Sequence, residues 1–428
     1  MRPGPGRAPD RDGMSRPTIA PISRTLFASA LALLAACDFT SDGLADLAIR
    51  HVSVVDVSAG SILTDRTILV HDGRIVRIDS ALEDYPAARQ VMDGTGHFVM
   101  PGLWDMHVHA GDDESTYQQL MAWGVTSVRD MGSPLQEVQA VRRRRDDHAA
   151  SGPRIVYAGF ALHGPGSSAD TAAGAVSDSA RVVAALAQLE AGGASFVKVH
   201  EGLSQATWTV IAREARARGL PLVGHVPAGL SPVRLAESGL RGIEHFEFLP
   251  DRCLGVLGPA RRASRLPACD GPSLDALLRR LHANGVWLDP TLGSFRIFAP
   301  KEWPDIQAGF ARLVPSIRRI GLPLLAGTDL GSRGIVPGQS LHDELELLTG
   351  AGFSTAEVLR SATSAPAQFL GLGDSLGKVA PGYVADLLVL EADPLADIRN
   401  TRRIAAVILA GTPIDSAMTA ALRQTPTP

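Results

Sequence analysis

Two histidines separated by a single residue, His107 and His109, end the apolar stretch "VMPGLWDMHVHA" at residues 99–110. Residues two apart on a β-strand point to the same face, so both imidazoles would leave the strand side by side. This spacing is typical of a metal site, although a chain with 12 histidines in 428 residues also contains such pairs by chance. The remaining ligands must therefore come from other parts of the chain.

Further candidate ligands lie at the ends of other short apolar runs. "ASFVKVH" carries Lys198 and His200, "LPLVGHV" carries His225, "RGIEHF" carries His245, and "LPLLAGTD" ends in Asp329. Imidazole nitrogens and carboxylate oxygens are the donors that suit zinc and its neighbours. We therefore expect one ion on His107, His109 and Asp329, a second on His225 and His245, and Lys198 shared by both.

Lys198 needs a reason to lie on the inner face of a strand, because an unpaired buried ammonium costs several kcal/mol. A neutral lysine can add carbon dioxide, and the two oxygens of the resulting carbamate can bridge two cations as a carboxylate does. The alternative is a lysine paired with a buried acid. Two bridged divalent ions would hold a hydroxide and polarise a substrate carbonyl, and Asp329 would carry the proton to the leaving nitrogen.

The positions of these residues follow from the repeating pattern of residues 101–372. Short apolar runs alternate with helical stretches about eight times, which predicts an α/β fold, a parallel (β/α)8 TIM barrel. Active sites of such barrels lie at the carboxyl ends of the strands. Segments 46–100 and 373–415 alternate β-branched and polar residues, with an Asp72-Gly73 turn in the first. They predict one small β-sandwich domain built from both chain ends, followed by a tail at 416–428.

The first 37 residues predict an export signal. Arg16 and Arg24 precede an apolar run, 26–36, that is too short to span a bilayer. The run ends in "LAAC", which resembles the lipobox of bacterial lipoproteins and would make Cys37 the acylated first residue, followed by a tether at 38–45. We expect a periplasmic protein held to a membrane by this lipid; a soluble signal peptide or a mis-annotated leader is the alternative, and Met14 is a second candidate start.

The charge of the chain limits the classes of molecule that it is expected to bind, and its cysteine content limits the disulfides that it can form. A formal charge of −4 with acidic and basic residues well mixed gives no basic stripe for nucleic acid, so a small-molecule substrate is expected. The oligomeric state stays open, with a homo-oligomer among the options. Lipidation of Cys37 leaves Cys253 and Cys269, either as a disulfide beside the substrate entrance or as two free thiols.

Six motifs occur in a fixed order: "MPGLWDMHVH", "GVTSVRD", "VKVHEG", "GHV", "GIEH" and "AGTD". With "DGRIVRI" before them and "GKVAPGYVADLLVL" after, they resemble the amidohydrolase superfamily, and within it the imidazolonepropionase-like and Xaa-Pro dipeptidase (prolidase-like) group of binuclear metal hydrolases. The resemblance covers about residues 44 to 415. It implies the same metal-ligand roles for the six residues given above, carboxylation of Lys198, and Asp329 as both ligand and proton shuttle.

Substrate contacts are expected from His200, His163 and Arg333. His200 shares the inner face with Lys198, and Arg333 follows Asp329 on the eighth loop, where it could bind a substrate carboxylate. Relatives of this group often have a glycine-glycine-histidine run after the third strand, whereas this chain has "ALHGPGSS" with His163. His163 is interpreted as a loop residue more readily than as a ligand.

Three other polar residues are interpreted as structural. Arg129 and Asp130 end the second strand, and we expect them to pair with each other rather than with a substrate. His342, in "SLHDELELL", is expected on a helix surface.

The function expected from these residues is hydrolysis of an amide, in a dipeptide of the Xaa-Pro type or an N-acyl amino acid. A cyclic-amide hydrolase or a deaminase on the same barrel is the alternative, and Lys198 argues against the mononuclear members. A non-catalytic binding lipoprotein is the third reading, since fold alone does not prove activity; the complete ligand set argues against it.

Acylation of Cys37 can be tested directly. Cys37→Ser should release the protein into the soluble periplasmic fraction or leave its leader uncleaved, because the variant lacks the thiol to which the lipid would be attached. Cell fractionation and mass spectrometry of the mature N-terminus measure this, with Cys253→Ser as the control that should stay in the membrane fraction. A wild-type mature chain that begins at another residue would refute the assignment.

Overall fold

The computed structural model describes Met1 and residues 44–80, 87–148, 152–165, 167, 173–245 and 271–424. The predicted signal peptide, Cys37, the tether before Leu44, and the pair Cys253 and Cys269 lie outside these residues. The chain divides into two units at Gly43 and Leu44, and the fold given below is that of the unit Leu44–Pro428. Within the described ranges, no helix has the length and apolar character needed to cross a membrane.

The strands of the described residues are, in chain order, β1 (Ala45–Asp56), β2 (Ser61–His71), β3 (Arg74–Ser80), β4 (Ala88–Asp93), β5 (Phe98–Pro101), β6 (Leu103–Val108), β7 (Val125–Asp130), β8 (Arg154–Tyr157), β9 (Val197–Val199), β10 (Leu222–Gly224), β11 (Leu240–Glu244), β12 (Trp287–Asp289), β13 (Leu387–Leu390), β14 (Ile404–Leu409) and β15 (Thr412–Pro413). The helices are α1 (Glu114–Ala122), α2 (Leu135–Asp147), α3 (Ser179–Ala191), α4 (Gln205–Ala217), α5 (Pro232–Ser238), α6 (Gly271–Ala283), α7 (Leu292–Phe298), α8 (Trp303–Ile320), α9 (Gln339–Gly350), α10 (Thr355–Ser361), α11 (Ser364–Phe369) and α12 (Ser416–Gln424), with a 3₁₀-helix at Ile398–Arg402.

Both chain ends build the small sandwich domain. Its strands follow the order β15-β14-β13-β5-β1-β2-β3, and β4 pairs with β1. The antiparallel pairing of β13 with β5, where Val389 lies opposite Val99, joins the two ends. Asp72 and Gly73 both have positive φ, 47° and 72°, as the tight turn between β2 and β3 requires. Apolar residues from both ends share one buried core, including Leu47, Ile68, Val99, Leu387 and Val389.

The middle of the chain forms the predicted barrel. β6 to β8 and β9 to β12 are two parallel sheets in sequence order. They meet where Leu162 N donates to Lys198 O at 2.8 Å and His200 N donates to Leu162 O at 2.8 Å. Both hydrogen bonds lie next to the predicted bridging lysine, so the seam between the two sheets is also part of the candidate site.

The eighth barrel position is an irregular segment, residues 322–329. Leu325 N donates to Leu288 O at 2.7 Å and Met106 N donates to Ala326 O at 3.0 Å, which closes the barrel. A Cβ at Gly327 would lie 2.5 Å from Asp289 Oδ2 and 2.7 Å from His107 Cβ, so only glycine permits this close approach. The position expected for a strand is therefore occupied by a tightly packed segment that ends at Asp329.

The helices cover the barrel through one apolar face each. In α8 the buried residues Ile306, Phe310, Leu313 and Ile317 recur every three or four positions, as an amphipathic helix requires. Side-chain caps fix several of the starts: Ser204 accepts from Thr207 N before α4, and Ser354 and Glu357 form a capping box at α10.

The sandwich and the barrel share a packed boundary. The same apolar cluster contains Leu388 of β13 and Val125 of β7, and a Cβ at Gly124 would lie 2.6 Å from Leu388 Cδ1. Residues 416–424 of the predicted tail form α12, which contacts α1, and Arg423 Nη1 donates to Ala122 O at 2.8 Å. The end of the described chain is thus attached to the first barrel helix.

The expectation that His342 lies on a helix surface is wrong. Its side chain is buried in α9, with Nδ1 2.8 Å from Thr401 Oγ1 and Nε2 2.9 Å from Trp123 O. The 3₁₀-helix at Ile398–Arg402 covers this face of α9. His342 therefore connects three separate parts of the chain.

The burial of His342 predicts a loss of stability in acid. Burial lowers the pKa of His342 to about 4, whereas the unfolded imidazole titrates near 6.5. Because the depressed pKa belongs to the folded state, protons bind the unfolded chain first, and the free energy of unfolding falls by up to about 1.4 kcal/mol per pH unit as the pH drops through this window.

We expect His342→Gln to flatten this dependence, as measured by urea unfolding at pH values between the folded and unfolded pKa. His282→Gln, a change on the exposed side of α6, is the matched control and should keep the wild-type slope. Parallel curves for the wild type and His342→Gln would contradict the prediction.

Candidate active site

The six predicted metal ligands lie around one cavity of about 340 Å³ at the carboxyl ends of the barrel strands. His107 lies in β6, His109 directly follows β6, and Lys198 is central in β9. His225 and His245 directly follow β10 and β11, and Asp329 ends the eighth segment. The cavity is lined by His107, His109, Lys198, His225, His245 and Asp329, together with His200, Gly132, Ala161 and Ser332. The structure thus brings together every residue of the predicted ligand set.

The imidazole rings lie close together. Ring centroids are 4.7 Å apart for His107 and His245, 4.9 Å for His225 and His245, and 5.3 Å for His107 and His109. Burial lowers the pKa of His107, His225 and His245 well below the ordinary value, and neighbouring basic groups add to the shift. Burial also lowers the pKa of His109 to about 3. All four imidazoles are therefore neutral at physiological pH, the state in which histidine binds metals.

The donor atoms converge as a metal site requires. Asp329 Oδ1 lies 3.5 Å from His107 Nε2 and 3.6 Å from His109 Nε2. Ligand atoms of His107, His245 and Asp329 all lie within 4.8 Å of one another. Moreover, His107 Nε2 is buried and makes no hydrogen bond within the described residues. A buried nitrogen lone pair that faces a carboxylate and other imidazoles fits a divalent cation.

Left-handed backbone aims two of these side chains. His245 has φ of 57° and Asp329 has φ of 67°, a conformation that costs non-glycine residues about 1–3 kcal/mol. Backbone hydrogen bonds hold both turns: His245 N donates to Asp289 O at 2.9 Å, and Asp329 N donates to His107 O at 2.8 Å. The backbone strain is thus located at the end of β11 and at the end of the eighth segment, where the chain turns into the cavity.

Partners behind the imidazoles orient them. His107 Nδ1 lies 3.0 Å from Glu244 Oε2, and His245 Nδ1 lies 2.6 Å from Thr291 Oγ1. With each Nδ1 engaged, the Nε2 atom of each ring is the one left for a ligand. The sequence analysis missed Glu244 and Thr291; the available signal was a charged residue inside the apolar run "RGIEHF".

Arg129 and Asp130 do not pair with each other, so this expectation is wrong. Arg129 Nη2 lies 2.9 Å from Glu244 Oε2 and 3.2 Å from Asp289 Oδ2, and Nε donates to Met106 O. Asp130 instead accepts backbone hydrogen bonds from loop residues, including Ala110 N at 3.1 Å. Consecutive strand residues face opposite sides, which places Arg129 inside the barrel and separates the two side chains.

This arrangement also explains a second group of candidate ligand atoms, those of His107, Glu244 and Asp289. The Arg129 guanidinium already lies between the two carboxylates, in the place that a cation would take. Burial and the charge of Glu244 raise the pKa of Asp289 well above its ordinary value. This cluster therefore supports the site from below and is not a further metal site.

The predicted substrate contacts lie in different surroundings. His200 lines the cavity, with its ring 3.9 Å from that of His225 and Nδ1 2.9 Å from Ser167 Oγ. His163 is buried beside Gly164 and is not among the residues around the cavity. Arg333 is exposed on the loop next to Ser332, which does line the cavity.

Comparison with known proteins places this site in a wider group. A sequence model described as the amidohydrolase family matches residues 98–414. The imidazolonepropionase of Ralstonia nicotianae is 26% identical over 371 residues, covering 78% of this chain and 88% of that protein.

Two solved structures have the same architecture. A Xaa-Pro dipeptidase with bound methionine has a TM-score of 0.72 at 20% identity, covering 86% of this chain and 99% of that one. A Bifidobacterium longum protein assigned as a prolidase has a TM-score of 0.67 at 27% identity, covering 89% and 98%. The first likeness, at its low identity, supports the fold alone.

The contact between Glu244 and Arg129 predicts a large effect on stability. Glu244→Ala should lower the free energy of unfolding by about 3–5 kcal/mol, because it leaves a buried guanidinium with one weaker partner. Glu391→Ala is the matched control, since its ion pair with Arg403 is half exposed and should contribute less than about 1 kcal/mol. Urea unfolding measures both. Equal losses in the two variants would contradict the prediction.

Proposed function

The chain belongs to the amidohydrolase family, and from that premise we propose that it is an exported, metal-dependent hydrolase of small amides. Family membership makes it a hydrolase of carbon–nitrogen bonds, and the resemblance to the imidazolonepropionase-like and prolidase-like group is confirmed. The proposed substrate is a dipeptide of the Xaa-Pro type or an N-acyl amino acid. The name of one structural relative, a protein assigned as a prolidase and 27% identical to this chain, supports this choice.

The observation that carries the proposal is the convergence of four neutral imidazoles, Lys198 and Asp329 on one cavity. We assign His107, His109 and Asp329 to one ion and His225 and His245 to another. Lys198 is 1% exposed in the middle of β9, a place that supports its proposed role as the carbamate shared between the two. Nitrogen and oxygen donors of this kind favour zinc.

The chain's own residues then have distinct tasks. When bound there, two divalent cations supply Lewis acidity to the substrate carbonyl and acidify a water molecule. Asp329 takes the proton of the attacking water and delivers it to the amide nitrogen as the carbon–nitrogen bond breaks. Glu244 and Thr291 hold the imidazoles of His107 and His245 in position. The products are a carboxylic acid and an amine, so water is the only co-reactant.

Recognition of the substrate carboxylate is proposed for residues at the entrance. Arg333 is the charged candidate, because it follows Ser332 of the cavity wall and its guanidinium can bind a carboxylate with two hydrogen bonds. His200 faces the cavity itself, and His163 is the weakest candidate because it lies away from the cavity wall. The name of the imidazolonepropionase relative favours a second candidate function, hydrolysis of a carbon–nitrogen bond in a ring.

The proposed cellular location rests on the N-terminal leader sequence alone. The basic residues, the apolar run and "LAAC" before residue 38 support export and acylation of Cys37. The periplasm would also favour a disulfide between Cys253 and Cys269. Both proposals concern residues that lie outside the described part of the chain.

Metal content and activity test the proposed function together. Protein purified with zinc should hold about two equivalents per chain and hydrolyse one of a set of Xaa-Pro dipeptides, other dipeptides, N-acyl amino acids and cyclic imides. Lys198→Ala should lower the metal content, because the shared ligand is removed. One equivalent in the wild type, unchanged in Lys198→Ala, would overturn the binuclear site, and inactivity of the two-metal protein on the whole set would overturn the substrate class.

The proton-transfer role predicts a separate behaviour for Asp329→Asn. The amide keeps an oxygen for the metal but cannot accept the proton, so turnover should fall at least ~100-fold while most metal stays bound. Steady-state rates and metal analysis measure the two properties, with the exposed Asp374→Asn as the control. Near wild-type turnover in Asp329→Asn would assign the proton transfer to another group.

A further inference from the structure

A second cavity, of about 400 Å³, lies at the amino ends of the barrel strands. Arg154 and Trp287 are the first residues of β8 and β12, and Phe196 directly precedes β9. All three line this cavity, whereas the candidate active site lies at the carboxyl ends of the same strands. From its lining we infer that this cavity binds an amphipathic organic anion, a carboxylate on an aromatic or alkyl body.

Positive charge is in excess in the wall. Four arginines line the cavity against one acidic side chain, Asp146: they are Arg142, Arg145, Arg154 and Arg241. Arg142 Nε lies 3.7 Å from Asp146, and Arg154 Nη2 lies 3.4 Å from Asp386. Within the described ranges, neither Arg145 nor Arg241 has a carboxylate within 4.0 Å. The wall therefore has guanidinium groups in excess of its carboxylates.

Two of these guanidinium groups have unused donors turned away from water. Arg145 Nε and Arg154 Nε are buried and make no hydrogen bond to any described residue. Burial and the nearby charge of Arg154 lower the pKa of Arg145, as expected where like charges face each other. A carboxylate in the cavity would offset the positive charge of this wall, because guanidinium groups bind carboxylates through charge-assisted hydrogen bonds.

Part of the cavity wall is apolar and aromatic. Phe196, Trp287 and Phe369 line it, and the rings of Trp287 and Phe369 lie edge to face with centroids 5.6 Å apart. An inorganic anion would leave this surface uncovered, whereas an aromatic or alkyl body would bury it. The volume falls in the range of about 300–1,000 Å³ that small-molecule sites occupy. The combination selects a ligand with one charged end and one apolar end.

Two aromatic residues of this cavity wall, Phe196 and Phe369, contact Arg129, which lies beneath the candidate active site. The Arg129 guanidinium lies 5.8 Å from the ring of Phe196 and 5.3 Å from that of Phe369. The two cavities are thus separated by the layer that holds Arg129. The inference does not depend on the proposed hydrolase activity, since no residue of this wall belongs to the proposed metal site.

Calorimetric titration of the purified full chain with phenylbutyrate tests the inference. We expect one equivalent to bind, with binding at least ~10-fold weaker for phenylbutyramide, which lacks the charge, and for acetate, which lacks the apolar body. Arg145→Gln and Arg154→Gln should each weaken phenylbutyrate binding at least ~10-fold. Arg143→Gln is the matched control, because Arg143 lies on α2 with Arg145 but is outside the cavity wall.

Tryptophan fluorescence gives a second measurement that does not depend on those variants. The titration should change the emission of the wild type, and Trp287→Phe should remove this change while calorimetric binding persists. Absence of binding at millimolar phenylbutyrate would overturn the inference. Binding that is equal in the three arginine variants would also overturn it, because the probe would then lie elsewhere, for example at the metal site.

Discussion

The Glu244 carboxylate, shared between Arg129 and His107, is the interaction on which the site depends. All three side chains are fully buried, so each charge must be balanced where it lies. Arg129 supplies the balance and also donates to Met106 O, which fixes β7 against β6. The orientation of the candidate metal-ligand imidazole of His107 is therefore set by a charge on a neighbouring strand and a carboxylate from across the barrel.

Irregular backbone appears where this network meets the cavity. His245 follows β11, and Asp329 ends the eighth segment, both in left-handed conformations. The eighth segment is not a strand, but backbone hydrogen bonds join it to the strands on either side. Asp105 holds this segment through Thr328, accepting from its backbone N at 3.0 Å and its Oγ1 at 2.7 Å. A regular strand would point successive side chains to alternating faces; the turn at Asp329 brings its carboxylate to both first-strand histidines.

The barrel, and the convergence of the candidate ligands on one cavity, could be predicted from the sequence because both follow local rules. Strand alternation and the carboxyl-end rule place His107, His109 and Asp329 together without knowledge of any distance. The role of Glu244 could not be predicted in this way, because its contact with His107 depends on the register of strands 137 residues apart. The true partners of Arg129 could not be predicted for the same reason, since they come from distant strands. The expected pair with Asp130 was wrong for a local reason, because consecutive strand residues face opposite sides. His342 was placed on the surface because the element that covers it lies 59 residues away.

The interior of the barrel is built in layers whose order has a physical reason. Aromatic rings of Phe196 and Phe369 lie below Arg129, the carboxylates of Glu244 and Asp289 lie around it, and the imidazoles lie above. The rings can face a guanidinium because their π-faces attract cations. The guanidinium offsets one carboxylate charge, and burial raises the pKa of Asp289 and so favours its neutral form. Little net charge then remains beneath the cavity. Neutral imidazoles can then keep their lone pairs directed at the cavity, which is the condition for binding a cation there.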